Sequence, residues 1–303
     1  PATVSHSAAI FVFEELNLDP VRLHFGTRFD ATRITLRDAE AAHLAGDRET
    51  RTFASISGSV GALYTTTGGF SIGASLARAF RTPDTNELFS QGPHLASYSF
   101  EIGNPDLDVE TGIGADLFAR INRSNLQGEI AAFRNWLRGY IHPRATGEMS
   151  RTGLPVYQHS GEDAVLTGIE GRIETHVGRG IVVDGTASWV RGERTRTGDP
   201  LPMVPPLSAA LEARWERSAF FVLVGARLAS AQRDVAEFET PTDGYAVFDA
   251  GAGYHWITGS GAHSVTLRVE NLTDTVYRSH LSRIKDIMPE AGRGVTLLYR
   301  LHF

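Results

Sequence analysis

Apolar and polar residues alternate with a period of two along most of this chain. The final segment, GVTLLYRLHF, shows the pattern, because every second side chain from 295 to 303 is apolar or aromatic. A period of two predicts β-strands whose two faces meet different surroundings. The alternation is regular over 21–29, 182–190, 208–216, 246–256 and 263–271, and weaker over 6–15, 53–64, 69–80, 109–121, 125–141, 156–177 and 218–231. With the last segment, this predicts an all-β fold of about thirteen antiparallel strands.

The connections between these segments alternate between short and long. Short ones lie at 17–20, 66–69, 122–125, 178–180, 216–218 and 258–261. Long ones lie at about 31–50, 82–108, 142–155, 194–203, 232–243 and 272–292. Short turns on one rim and long loops on the other are typical of a transmembrane β-barrel of the Gram-negative outer membrane, with the loops outside the cell.

Large aromatic residues fall near the ends of the predicted strands. Membrane barrels carry such girdles where the bilayer meets water. We therefore expect contact with outer-membrane lipid through Trp189, Trp215, Tyr254, Trp256, Tyr299 and Phe303. The alternative is a soluble β-sandwich binding protein with these aromatics in its core, although a sandwich does not need them at its strand ends.

The number of strands predicts that this is part of a larger barrel. Single-chain bacterial barrels have even strand numbers, and a barrel leaves no open edge in lipid. The N-terminus also has no charged segment followed by an apolar one, as a signal peptide would. We therefore treat 1–303 as one partial barrel domain, with the remaining strands expected before residue 1.

Composition and motifs exclude several classes of function. The net charge of −6 and the absence of a basic run argue against a nucleic-acid partner. The sequence contains no cysteine, so disulfides, thiol nucleophiles and cysteine zinc sites are excluded. It also has no GxSxG, HExxH or glycine-rich phosphate motif. We predict no enzyme, no catalytic residue and no cofactor.

Three stretches resemble TonB-dependent outer-membrane receptors, in the order the family has them. They are SLARAFRTPDTNELFSQGPHLASYSFEIGNPDLDVETG (75–112), PMVPPLSAALEARW (202–215) and NLTDTVYRSHLSRIKDIMPEAGRGVTLLYRLHF (271–303). The resemblance implies a 22-stranded barrel around an N-terminal plug, driven by TonB–ExbB–ExbD through a short N-terminal segment. This chain contains neither the plug nor that segment, so we expect it to supply the C-terminal part of the barrel.

The resemblance also implies a function and further partners. Such receptors take up scarce small nutrients, and the wording of 75–112 is closest to the zinc-uptake branch. Zinc or another metal is therefore the favoured cargo, with a siderophore or haem next. The strand ending at Phe303 resembles the signal recognised by the barrel-assembly machinery. A plugless passive pore is the alternative within the membrane class.

The longest predicted loop, 81–108, carries the candidate binding residues. Imidazole and carboxylate groups suit a borderline metal such as zinc. We expect His94 and Glu101 to help ligate a metal, within a ligand-binding set of Glu87, His94, Glu101, Asn104 and Asp106. The alternative is that Glu87 and Asn104 only pin the loop and that His94 is merely exposed.

Several arginines are expected on the lumen side of the barrel or at the bases of its loops. These are Arg78, Arg81, Arg268, Arg293 and Arg300. The resemblance suggests that some of them pair with carboxylates of the plug. The equally open alternative is that these arginines are simply solvated in a wet lumen. Five histidines could also point into the lumen with no role beyond hydration or contact with the plug: His6, His24, His142, His159 and His255.

Overall fold

The computed structural model describes residues 2–37, 49–259 and 261–303 and confirms the all-β class. Its regular structure consists of fifteen strands, one five-residue helix and one 3₁₀ turn, counted over those residues. In the same ranges, no helix is long and apolar enough to cross a membrane. The elements are β1 (Thr3–Leu18), β2 (Val21–Leu36), β3 (Thr50–Thr65), β4 (Phe70–Arg81), α1 (Thr85–Phe89), β5 (Gln91–His94), β6 (Ser99–Ile102), β7 (Glu110–Arg123), β8 (Leu126–Met149), β9 (Pro155–Gly178), β10 (Ile181–Arg194), β11 (Ser208–Arg217), β12 (Phe220–Ala229), β13 (Tyr245–Thr258), β14 (Gly261–Glu270) and β15 (Gly294–His302).

Thirteen of the strands form one antiparallel meander in which each strand pairs with its neighbour in sequence. The order is β1-β2-β3-β4-β7-β8-β9-β10-β11-β12-β13-β14-β15, as the alternation predicted. The short strands β5 and β6 form a hairpin off this path, and β6 pairs in parallel with β9. In the described part of the chain β1 and β15 are not paired, so the sheet is open and has two free edges.

The short turns lie where the sequence predicts them, but the long connections differ in part. Strand β2 continues to Leu36, so residues 31–36 are not loop, while residues 38–48 and Ser260 lie outside the described ranges. The predicted loop 142–155 is instead the end of a long hairpin, because β8 continues to Met149 and β9 begins at Pro155. Backbone pairing extends the strands there, although no apolar alternation marks them.

Register gives the sheet one apolar face and one polar face. Ile10 pairs with Phe29, and Phe29 pairs with Ile56, so their side chains lie on the same face. We call it the apolar face, and it continues through Leu117 on β7 to Leu267 on β14. Since successive residues along a strand alternate between the two faces, the intervening residues form the polar face.

The register also gives the tilt of the strands. Val21 lies at the short-turn end of β2. Following its paired residues from each strand to the next leads, after nine strand-to-strand steps, to Ala246 on β13. Ala246 lies about twelve residues above Thr258, the short-turn end of β13. With ~3.3 Å per residue and ~4.8 Å per strand, this offset corresponds to a tilt of about 40°. That value is within the range of closed membrane barrels.

Large side chains on the polar face lie against glycines of neighbouring strands. The ring of Phe118 occupies the space that a Cβ at Gly73 would take, and Phe221 does the same at Gly253. Arg120 lies over the Phe118 ring at 4.3 Å. These contacts explain how aromatic residues are accommodated on a face that is otherwise polar.

Two small hydrophobic cores lie at the long-loop edge, where loops fold back onto the polar face. In the first, Leu88 and Phe89 of α1 pack with Phe53 and Ile141. In the second, Leu201 packs with Ala164. These cores fix the loops against the sheet and so position the site described next.

Candidate functional site

Helix α1 is fixed by an ionic and hydrogen-bonded network at its N-terminus. Asp84 caps the helix, and the Glu87 side chain accepts a hydrogen bond from the Asp84 amide at 2.8 Å. Arg81 lies 2.7 Å from Glu87 and 3.0 Å from Glu110. Glu87 therefore holds α1 in place through Asp84 and Arg81, which is the alternative role that the sequence left open for it.

Asn104 is a second pin of the same loop. Its backbone N–H donates a hydrogen bond to the backbone carbonyl of Glu87 at 2.7 Å, and its side-chain oxygen accepts one from the backbone N–H of Asp106 at 2.9 Å. Gly103 passes so close to α1 that a Cβ there would lie 2.7 Å from the Ser90 nitrogen. The GNP motif thus builds a tight return of the chain against α1, and the Asp106 side chain is exposed.

The hairpin β5–β6 brings His94 and Glu101 together, as the loop composition suggested. His94 Nδ1 lies 2.6 Å from Ser97 Oγ and 3.8 Å from Glu101 Oε1, and its side chain is 60% exposed. Among the described residues, no group of three or more histidines, aspartates and glutamates is arranged to hold a metal ion. The proposed metal site at this pair therefore stays a prediction.

Glu101 connects three separate parts of the chain. Its Oε1 accepts a hydrogen bond from Arg283 at 2.8 Å, across 182 residues of sequence, and one from Ser99 at 3.1 Å. His159 of β9 lies 3.8 Å from the other oxygen, beyond direct hydrogen-bonding distance. The Arg283 guanidinium also stacks over the Tyr157 ring at 5.0 Å. This cluster, the Glu101 junction, joins the loop 81–108 to the loop 272–292.

The surroundings of Glu101 strongly favour its ionised form. His159 first, and then Ser99 and Arg283, lower the pKa of Glu101 to about 2, against burial that raises it. The carboxylate is therefore fully charged at neutral pH, and the ion pair with Arg283 is intact there.

A second junction ties the loop 232–243 to the loop 272–292. Lys285 is only 4% exposed, and its Nζ lies 3.2 Å from Glu239 Oε1. His280 Nε2 lies 3.1 Å from the same oxygen. The amides of Met203 and Ala236 donate to the carboxylate at 3.0 and 3.1 Å. We call this cluster the Glu239 junction.

The carboxylate of Glu239 is also held in its charged form. Burial alone would raise the pKa of Glu239, but His280, the amides of Ala236 and Met203, and Lys285 together lower it to about 2. The junction thus places a buried ammonium and a buried carboxylate in direct contact. Such pairs are strongly destabilised when either partner is removed.

A cavity of ≈ 190 Å³ lies between the two junctions. The long β8–β9 hairpin forms one wall and the loops 232–243 and 272–292 form the other. Its lining combines aromatic rings and cations with three carboxylates: Tyr140, His142, Arg144, Tyr157, Phe238 and Arg283 on one side of this balance, and Glu237, Glu239 and Asp286 on the other. Arg144 has no carboxylate partner within the described ranges. The tyrosine rings together with Arg144 are groups that can bind a bulky, negatively charged ligand.

The arginines expected on the lumen side do not all lie there. Arg268 and Arg300 lie on the polar face, since they pair with Gly251 and Ser264. Arg81 lies on that face as well, and the Arg293 amide donates to Asp274 at 2.8 Å at the base of a loop. Arg78 differs, because it shares the apolar face with Leu76 and pairs with Ile113. The sequence analysis placed Arg78 on the lumen side because of its charge. The alternation along β4 instead places Arg78 on the face that Ser75 does not share.

The six aromatic residues of the expected girdle lie on or adjoin the apolar face. Trp189 pairs with Ile169, Trp215 with Val222, and Tyr254 and Tyr299 each with Val265. Trp256 stacks on His263 at 5.0 Å, and Phe303 follows β15 fully exposed. The tips of Tyr299 and His263 meet at 2.7 Å, which gives this end of the girdle a polar edge.

Comparison with known proteins identifies the sheet. The sequence profile of the family described as "TonB dependent receptor-like, beta-barrel" matches residues 1–272. This chain belongs to that family. TonB-dependent receptors of this kind reside in the outer membrane of Gram-negative bacteria, so the apolar face meets lipid and the long loops lie outside the cell.

Individual TonB-dependent receptors are similar over parts of their length. The chain is 24% identical over 166 residues to the "Ferric enterobactin receptor PirA" of Pseudomonas aeruginosa, and this match covers 49% of this chain and 22% of that protein. It is 25% identical over 166 residues to the "Ferrienterobactin receptor" of Escherichia coli, and that match covers 48% of this chain and 21% of the receptor. The matched half of this chain therefore covers about a fifth of the length of these curated relatives.

Solved structures show the same fold. "Copper transporter OprC" superimposes with a TM-score of 0.81 at 20% identity, over 98% of this chain and 47% of that chain. The ferric citrate transporter FecA in its unliganded form gives 0.76 at 15% identity, over 98% and 44%. These receptors and transporters are not enzymes, which agrees with the absence of catalytic motifs.

Sequence analysis missed most of the residues that organise the receptor's mouth. Glu239 and the three residues His280, Arg283 and Lys285 were not singled out, and they meet each other and Glu101 only because the loops fold inward. Lys285 is the only lysine in the sequence, but this count alone does not indicate a buried ion pair.

Proposed function

We propose that this chain forms the ligand-capturing part of a receptor that imports a metal chelate across the outer membrane with energy from TonB. The cavity between the two junctions carries this proposal, because the β8–β9 hairpin and the loops 232–243 and 272–292 converge on it at the outer mouth. Capture at the mouth would precede movement of a plug supplied by another part of the receptor. No covalent step is involved.

A chelated metal suits the cavity better than the bare zinc favoured by the motifs. Tyrosine rings and the Arg144 guanidinium can stack on and neutralise an anionic, aromatic chelate such as a ferric catecholate. The names of both curated relatives, as ferric enterobactin receptors, also favour iron chelates. The zinc branch is supported only by the wording of residues 75–112, and no relative named here is a zinc receptor.

A bare metal ion is the second candidate cargo. His94 and Glu101 approach within 3.8 Å at the rim, and the best-superimposing structure named here is a copper transporter. Residues of a plug would have to complete the coordination of such an ion, since its usual sites need four or more ligands.

The partners follow from membership of the family and are part of the proposal. We infer that TonB–ExbB–ExbD acts through a segment outside this chain, and that β15 is the strand presented to the barrel-assembly machinery. The apolar face contacts outer-membrane lipid. A plugless passive pore remains the alternative, and ligand uptake that continues after loss of TonB would favour it.

Binding to the full-length receptor tests the proposal. Ferric enterobactin, Zn²⁺ and Cu²⁺ are titrated against the wild type, Arg144→Gln and a matched control, Arg233→Gln. Arg233 lies on the loop 232–243 outside the cavity and pairs with Asp243 at 2.6 Å. Because a charge-assisted hydrogen bond contributes about 1.5–3 kcal/mol, Arg144→Gln should weaken chelate binding roughly 10- to 100-fold. Tight Zn²⁺ binding without chelate binding would contradict the proposal.

A further inference from the structure

Strand β8 exchanges the faces on which its side chains lie, shortly before it enters the mouth. Up to Leu137, its odd-numbered residues lie on the polar face. The next two residues, Arg138 and Gly139, stand opposite the single residue Asp163 of β9. Regular pairing resumes at Tyr140. An extra residue on one strand is a β-bulge, and it shifts the alternation of every side chain beyond it by one position.

The hydrophobic packing shows the same exchange of faces. Leu137 and Tyr140 are three residues apart, yet both pack against the core that contains Leu201. In a regular strand, residues three apart lie on opposite faces. Ile141 instead belongs to the other core, together with Leu88 of α1. Beyond the bulge, the even-numbered residues of β8 therefore lie on the side of Leu201.

The exchange decides which side chains the β8–β9 hairpin presents beside Leu201, where Pro200 also lines the cavity. Every residue from 140 to 145 borders the cavity, but only Tyr140, His142 and Arg144 carry an aromatic ring or a charge. The rings of Tyr140 and His142 stack at 5.7 Å, with their planes 17° apart. Without the extra residue, this side would carry the glycine, isoleucine and proline of the odd-numbered positions from 139 to 143.

The bulge is held by a glycine and a carboxylate. Gly139 has a φ of 65°, in the left-handed region that favours glycine. Its backbone N–H donates to Asp163 Oδ1 at 3.0 Å. The Asp163 carboxylate forms no ion pair within residues 2–37, 49–259 and 261–303, so its one assigned contact is with the bulge.

A second carboxylate holds the strand just beyond the bulge. In the described part of the chain, pairing between β7 and β8 ends at Thr111 and Arg138, next to the first residue of β7, Glu110. The Ile141 N–H, which no strand accepts on this side, donates to Glu110 Oε2 at 2.9 Å. Arg81 lies 3.0 Å from the same oxygen. Side chains thus satisfy the backbone donors that the bulge and the end of β7 leave without a strand partner.

We propose that this bulge sets the register of the ligand-binding wall, and that Gly139 and Asp163 are positioning residues for capture of an anionic chelate. Neither residue lines the cavity. Both act through Tyr140, His142 and Arg144, which the bulge turns to the side of Leu201. The role in capture rests on the proposed function, whereas the register itself can be measured without a ligand.

Two pairs of variants of the full-length receptor test this inference. Gly139→Val places a β-branched side chain at a left-handed position, whereas Gly139→Asn can keep that conformation. Asp163→Ala removes the acceptor of the Gly139 N–H, whereas Asp163→Asn retains an acceptor oxygen. The matched control is Gly153→Val, at a φ of 78° near the hairpin tip, outside the cavity and with nothing within 4 Å. Heat-modifiable gel mobility verifies that each variant is folded.

The first measurement is the affinity for ferric enterobactin. Gly139→Val should weaken binding roughly 10- to 100-fold, as expected for loss of the Arg144 contact, and Asp163→Ala should weaken it in the same direction. Gly139→Asn, Asp163→Asn and Gly153→Val should retain most of the affinity. Adding Arg144→Gln to Gly139→Val should cause little further loss, because the two changes remove the same contact.

The second measurement needs no ligand. The sequence contains no cysteine, so nitroxide labels can be attached at Arg144→Cys and Glu237→Cys, on opposite walls of the cavity. Because the two faces of a strand point in opposite directions, Gly139→Val should lengthen the distance between the labels by about 10 Å, as measured by pulsed electron paramagnetic resonance.

The two measurements separate this inference from the proposed cargo. An unchanged label distance in Gly139→Val, or an equal loss of affinity in Gly153→Val, would overturn the role of the bulge. Unaltered ferric enterobactin binding by Gly139→Val would do the same. A lengthened distance in a receptor whose wild type does not bind ferric enterobactin would support the register and refute the cargo.

Discussion

Replacing Glu239 by glutamine removes the carboxylate charge that faces Lys285 and His280 at the centre of the Glu239 junction. Glutamine keeps the length of the side chain and one carbonyl oxygen, so the Lys285 contact at 3.2 Å can persist as a neutral hydrogen bond. The Ala236 amide, which donates to the other oxygen at 3.1 Å, would face an amide nitrogen instead. The substitution thus removes charge and one acceptor without creating a cavity.

The expected cost is about 3 kcal/mol of loop-docking free energy. Breaking a buried ion pair by removing one partner costs about 3–5 kcal/mol. The lower end applies here, because the His280 carbonyl still accepts from the Lys285 ammonium at 3.2 Å. The fall in the Glu239 pKa from 4.5 to about 2 gives a similar figure of about 3 kcal/mol. The sheet itself should keep its stability, since none of these groups lies in a strand.

Cleavage by a lysine-specific protease reports on this junction directly. Lys285 is the only lysine in the sequence and is 4% exposed, so this chain is cut only when the junction opens. The rate of cleavage follows the population of the open form when opening is fast. A loss of about 3 kcal/mol should therefore accelerate cleavage after Lys285 in the folded receptor roughly 100-fold, measured as the peptide 286–303 after the digest is denatured.

A matched variant on the same loop decides the outcome. Glu237 is exposed and forms no ion pair in the described part of the chain, so Glu237→Gln should leave the cleavage rate unchanged. An unchanged rate in Glu239→Gln would show that the buried pair does not hold the loops together. Equal acceleration in both variants would show that the loop responds to its net charge instead.

Two further predictions concern pH and packing. Because the pKa of Glu101 is lowered to about 2, its contribution to loop docking is complete above about pH 4.5 and is lost as the pH falls towards 2. The protection of the amides of residues 91–102 against hydrogen exchange, relative to the intrinsic exchange rate at each pH, should fall over that range, and Glu101→Gln should remove the dependence. If this protection in the wild type does not change with acid, the Glu101 junction is not ionic. Gly73→Val would force Phe118 from its place and also approach the Ala62 carbonyl, lowering the unfolding free energy in denaturant by about 1–3 kcal/mol, whereas Gly92→Ala, with nothing within 4 Å, should have little effect. Equal losses in both variants would refute this packing argument.

The local rules of strand structure could be predicted from the sequence. Alternation at 246–256 predicted β13, and turn residues such as those at 66–69 predicted the hairpins, because both depend on neighbouring residues alone. The aromatic residues near strand ends were placed on the apolar face for the same reason. The sequence fell short where alternation ends: residues 142–149 continue β8 without an apolar signal, and Arg78 was assigned by charge against its own register.

The composition of the mouth depended on tertiary structure. The sequence by itself determined the all-β class, the meander of thirteen strands and the family motifs, because a period of two and a turn each extend over a few residues. Only the folded chain decided that Arg283 meets Glu101 across 182 residues and that Lys285 lies buried against Glu239. These contacts depend on how the loops fold onto the sheet, which brings together residues that no local pattern connects.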